Sequence, residues 1–138
     1  MAEASRTARW SLAKLARATA THVAFAFLAM GGWALFANRA HGTGAIAPAL
    51  AQGVLSSAIT LGLKRALEAL SPRLPGVLAY LVPPFVTASV ILAGLWSVHR
   101  LIGTPEILAT IAVPWSVSTL YAIVWSALLA QESDVRHE

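Results

Sequence analysis

Residues 74–99 read LPGVLAYLVPPFVTASVILAGLWSVH and contain no Asp, Glu, Lys or Arg, although Arg73 and Arg100 stand at either end. A helix rising about 1.5 Å per residue crosses a hydrocarbon layer of about 30 Å in about 20 residues. This stretch is therefore long enough to span. Three more uncharged stretches qualify: Ala18 to Asn38, Ala40 to Leu63 and Ile107 to Gln131. The second is the most diluted, by Gln52, Ser56, Ser57, Thr60 and its glycines. It counts as a span because omitting it would put the two basic clusters on opposite sides of the membrane. The expected fold is all-α: four transmembrane helices over about 19–38, 44–63, 76–98 and 105–130, arranged as two helical hairpins.

Composition agrees. The chain has 138 residues, 57% of them hydrophobic and 12% charged, with a mean hydropathy of +0.68. A soluble domain carries about 25% charged residues, so an ordinary soluble enzyme and a disordered tail are both excluded. With no cysteine, thiolate metal sites, iron–sulfur ligation and cysteine nucleophiles are excluded too. The net charge of +4 is not read as a nucleic-acid signal, because basic residues in an apolar chain mark the cytoplasmic flanks of membrane helices.

The positions of those residues set an orientation. Arg6, Arg9, Lys14 and Arg17 precede the first span, Lys64, Arg65 and Arg73 lie between the second and third, and Arg136 follows the fourth. Only Arg39 and Arg100 fall in the other two connections. The positive-inside bias then expects both termini in the cytoplasm, in the bacterial inner membrane. Residues 1–17 read either as a basic amphipathic segment lying on the anionic inner leaflet, anchored by Trp10, or as a positively charged tail that only sets topology. Residues 132–138 form a short polar cytoplasmic tail.

A shift of 61 positions places Arg39, Gly42, Thr43, Ile46, Ala51 and Ser57 on Arg100, Gly103, Thr104, Ile107, Ala112 and Ser118. It maps one hairpin onto the other as a parallel repeat, although a coincidence in Ala-rich sequence explains the matches as well. In both external turns the glycine is expected to end a helix in the left-handed conformation and the threonine to cap the next. Pro105 then takes the first helical position, and Glu106 faces the positive end of the helix dipole.

Helices in lipid associate through small residues and a few polar contacts. Ala45, Ala49, Gly53 and Ser57 form one small-residue stripe, and Ser118, Ala122, Ser126 and Ala130 form another. Pro83, Pro84 and Pro114 interrupt the third and fourth spans and read as kinks. His22 reads as snorkelling or hydrogen-bonded to a neighbour, and Gln52 as an inter-helix hydrogen bond. Asn38, Arg39, His41, His99, Arg100 and Glu106 form a polar cluster at the outer face. If His41 and His99 met they would suit haem or a divalent metal, but no ligand spacing supports that. The cluster therefore reads as solvated loop ends, and no cofactor or metal is expected.

In size and orientation the chain resembles the small four-span GtrA-like proteins, which are built from two hairpins and implicated in moving polyprenyl-linked sugars. It departs from them at the inner ends of the even-numbered spans. Leu63-Lys64-Arg65-Ala66 and Ala127-Leu128-Leu129-Ala130 stand there in place of an aromatic and Asn–Arg signature, so it is not assigned to that family. The small multidrug exporters carry an acidic residue in the first span, where this chain has only His22. No nucleophile–base or carboxylate pair is placed to act together. The expected function is a non-catalytic accessory or assembly protein that binds other membrane helices, or itself, through small-residue faces, with membrane lipids as its other partners and no nucleic acid. The alternative is a small oligomeric translocator of a lipid-linked or small solute.

Overall fold

The computed structural model describes residues 2–135, with side-chain placement for residue 14 and residues 17–132. Four helices follow one another: α1 Ala2–Ala37, α2 Ile46–Leu70, α3 Val77–Leu101 and α4 Ile107–Val135. A 3₁₀ segment, Arg39–Ala45, joins α1 to α2, and a shorter one, Ser71–Arg73, follows α2. All four helices are long and apolar enough to cross a membrane, and no strand occurs among the described residues. The chain is a multi-pass membrane protein. Residues 2–17 are continuous with the first span in α1; the side chains of Arg6, Arg9 and Trp10 lie outside the described residues, as does Arg136.

The bundle is arranged inside out relative to a soluble protein. Leu101, Phe85, Leu28 and Leu108 are all more than 70% exposed, whereas Asn38, Gln52, His99 and Thr110 are fully buried. Lipid solvates the former, and the latter need protein partners. α2 and α4 touch along the centre; α1 lies against both on one side and α3 against both on the other, with no contact between α1 and α3 among the described residues.

The first small-residue stripe lies in the α1–α2 contact. Gly31 of α1 faces the backbone of Ala49, where a Cβ would come within 2.9 Å of the carbonyl oxygen. The Phe27 ring covers Gly53, and Ser57 Oγ, whose hydrogen goes to Gly53 O at 2.9 Å, lies 3.4 Å from Val23 O. The second stripe is buried throughout, from Ser118 to Ala130, and its Ala122 packs with Leu63 and Leu67 of α2. The two stripes therefore face different helices and do not meet each other.

The turn chemistry differs from the expectation in three places. Gly42 has φ 56° and ψ −126°, the first central position of a type II′ turn and not a left-handed helix end; α1 has already stopped at Ala37. Thr43 does not cap α2, whose N-cap is Ala45 with no side-chain bond. Pro105 and Glu106 precede α4, which starts at Ile107, and the Thr104 hydroxyl is engaged elsewhere. At the end of α3 the expectation holds: Gly103, with φ 69°, closes a Schellman motif. Thr104 N–H donates to His99 O at 2.9 Å and Gly103 N–H to Arg100 O at 3.3 Å.

The Gly31 contact fixes how closely α1 and α2 approach. Gly31→Leu is expected to destabilise the bundle by about 1–3 kcal/mol in detergent-driven unfolding. Gly32→Leu, at a position with nothing within 4 Å, serves as the control that leaves stability nearly unchanged.

Candidate functional site

Asn38, His99, Thr104 and Thr110, all buried, lie at the end of the bundle where α1 and α3 stop. His99, in the last turn of α3, is fully buried. Its Nε2 lies 2.9 Å from Gln52 Oε1 on α2, an oxygen that can only accept, so the ring is assigned as the Nε2–H tautomer. Thr104 Oγ1–H then donates to Nδ1 at 2.8 Å. The Schellman turn makes this possible, because it folds Thr104 back over the residue whose carbonyl its own N–H already holds. Gln52 Nε2–H continues the line to Ser56 Oγ at 2.9 Å.

Asn38, just past α1, does the equivalent work for α4. Its Oδ1 accepts the Glu106 N–H at 3.0 Å, while Nδ2 donates to Thr110 Oγ1 at 2.8 Å and to Ala34 O at 2.8 Å. Thr110 in turn donates to Glu106 O at 2.6 Å. The start of α4 is therefore capped by a side chain from α1, not by Thr104. Two indoles add cross-links of the same kind: Trp33 Nε1–H donates to Ala109 O at 2.9 Å, and Trp115 Nε1–H to Ala88 O at 3.0 Å.

The polar cluster expected at loop ends thus separates into two layers. Asn38 and His99 are fully buried, which corrects their reading as solvated. His41 and Glu106 form an exposed pair at 3.1 Å, with side chains 39% and 52% accessible, an arrangement of about 0–1 kcal/mol. Arg39 lies over the Phe36 ring at 4.0 Å and donates to Phe36 O, and Arg100 is exposed. His41 and His99 take different partners, and among the described residues no three His, Cys, Asp or Glu side chains gather as a metal site. Thr110 and Thr104 were not read as members of the interior network. One signal for it was present: the 61-residue shift that aligns the turns also places Asn38 on His99.

Two lateral openings complete the surface. A wholly apolar cleft of about 440 Å³ lies between α2 and α3; Ala58, Gly62 and Ala66 line it on one side and Gly94 on the other. A second groove of about 570 Å³ lies between α1, α2 and α4. Phe25, Met30 and Val117 give it apolar walls, Ser56 and Ser118 are at its deep side, and His22 and Lys64 stand at the end away from Asn38. Two buried side-chain atoms without a partner, Trp125 Nε1 and Ser126 Oγ, lie on the α4 segment towards that same end.

No family model matches the chain, and no curated protein sequence or solved structure is similar to it.

The pairing of His99 with Gln52 predicts coupling across α2 and α3. His99→Ala and Gln52→Ala are each expected to destabilise the bundle by about 1–3 kcal/mol. A double-mutant cycle measured by detergent-driven unfolding should return a coupling of about 0.6–2 kcal/mol; additive effects would remove the cross-tie.

Proposed function

We propose that this chain is a non-catalytic membrane protein that holds another transmembrane helix, as an accessory or assembly subunit, and that the helix seats in the α2–α3 cleft. The observation that carries this reading is the cleft's composition. Ala58, Gly62 and Ala66 recur at four-residue spacing, are exposed, and face an opening whose other wall includes the exposed Gly94. Lipid-facing helices associate where small residues allow backbones to approach closely, and a Cβ at Gly62 or Gly94 would meet nothing within 4 Å. The stripes through Ala45, Ala49, Gly53, Ser57 and Ser118, Ala122, Ser126, Ala130 are buried or half-buried, whereas Ala58, Gly62 and Ala66 are exposed.

The polar interior supports a structural role over translocation of a charged solute. Asn38, Gln52 and His99 are fully buried and bonded to neighbouring protein groups. Both termini are proposed to be cytoplasmic in the bacterial inner membrane, with the Asn38 end outside, on the distribution of basic residues. A parallel two-hairpin repeat is proposed on the equivalence of Asn38 and His99, each closing an odd-numbered helix and tying it to an even-numbered helix of the other hairpin.

Because the chain has no cysteine, a single Cys at Gly62 or Gly94 can carry a photoreactive probe in native membranes. Both positions are expected to cross-link to the same discrete membrane polypeptide. Ala66→Trp, which fills the cleft, should abolish that adduct while the protein stays folded. If both positions give only lipid adducts, like a probe at the exposed Leu101, the accessory reading fails.

A further inference from the structure

The groove between α1, α2 and α4 has a chemistry unlike that of the apolar cleft, and we propose that it binds one anionic phospholipid. The head group sits at Lys64 and His22, and an acyl chain runs between Phe25, Met30 and Val117. This inference does not depend on the α2–α3 cleft.

Four observations lead to this occupant. The groove opens sideways within the span, at the exposed Phe25, Thr60, Leu61 and Tyr121, so what enters it comes from the bilayer. Its volume of about 570 Å³ lies inside the range of about 300–1,000 Å³ usual for small-molecule sites. From Lys64 to Ser56 it follows α2 for eight residues, about 12 Å at the helical rise, which places a head group and the first part of a chain end to end.

The polar groups are distributed for such a molecule. Along the groove, Thr60 Oγ1–H is already donated to Ser56 O at 2.8 Å and Ser118 Oγ–H to Pro114 O at 2.9 Å. Ser56 Oγ accepts from Gln52. Hydroxyl donors spent on the backbone can face an alkyl chain without losing a hydrogen bond, whereas a polar solute would find few donors free. At the mouth the order reverses. Lys64 Nζ lies 4.8 Å from the centre of the Trp125 ring, and that ring stacks at 6.0 Å on Tyr121, a groove residue. The ammonium is thereby held at the rim, and its acidic neighbour Glu68 pairs only loosely at 3.7 Å. No acidic residue lines the groove. A lysine at the rim of an apolar slot suits a phospholipid with its chain inside, and favours a head group with net negative charge over one whose own cation offsets its phosphate.

The test is native mass spectrometry of the full chain released from bilayers of equal phosphatidylglycerol and phosphatidylcholine. The wild type is expected to retain one lipid, phosphatidylglycerol over phosphatidylcholine by about fivefold. Lys64→Gln should remove the preference and Lys64→Arg should keep it. Ala26→Phe, which fills the groove wall, should remove the adduct altogether while the helical circular dichroism is unchanged. Equal retention of the two lipids by the wild type, an unchanged preference in Lys64→Gln, or a persisting adduct in Ala26→Phe would each overturn the proposal. So would displacement of the lipid by millimolar inorganic phosphate, which would mark a site for soluble anions.

Discussion

A polar side chain inside a hydrocarbon layer has no water to fall back on, and this bundle is organised by that constraint. Asn38 and His99 are fully buried, and each has a partner on a different helix: Asn38 on Thr110 and the start of α4, His99 on Gln52 of α2. In lipid, apolar contact distinguishes poorly between a helix and its surroundings. These directional bonds therefore set which helices are neighbours and in what register, and the small-residue contacts, such as Gly31 on Ala49, set how near they come.

The two ends of the bundle differ as a result. α1 is tied to α4 at Asn38 and at Trp33, both at the end where α1 stops. The groove lined by Ala18, His22 and Tyr121 opens towards the other end. There too lie Trp125 Nε1 and Ser126 Oγ without partners. The proposed lipid site occupies that groove.

The sequence made the spans legible because the absence of charge over about 20 residues is a one-dimensional signal. α2 runs on through Lys64 to Leu70, which puts Lys64 and Glu68 one helical turn apart as an ion pair. Gln52 was likewise marked as an inter-helix hydrogen bonder by its isolation in an apolar stretch. The turn residues were harder. Thr104 suits a helix cap by type, but the Schellman motif at Gly103 folds it onto His99, and Asn38 supplies the cap from another helix. Nothing local reports a bond across 72 residues, as from Asn38 to Thr110, or across 47, as from His99 to Gln52. Proximity to Arg39 and Arg100 made Asn38 and His99 look like solvated loop ends, whereas the chain turns so that the arginines face outward and their preceding neighbours inward.

The claim on which the rest stands is that His99 is a buried bridge between α2 and the turn after α3. Nitrogen-15 NMR of the histidine rings in lipid nanodiscs tests it directly. The account predicts a His99 ring protonated at Nε2, with an Nε2–H that exchanges slowly with solvent and correlates through space with the Gln52 side chain, and with Nδ1 accepting from Thr104. A His99 ring protonated at Nδ1 alone, or one exchanging as fast as the exposed His41, would contradict it.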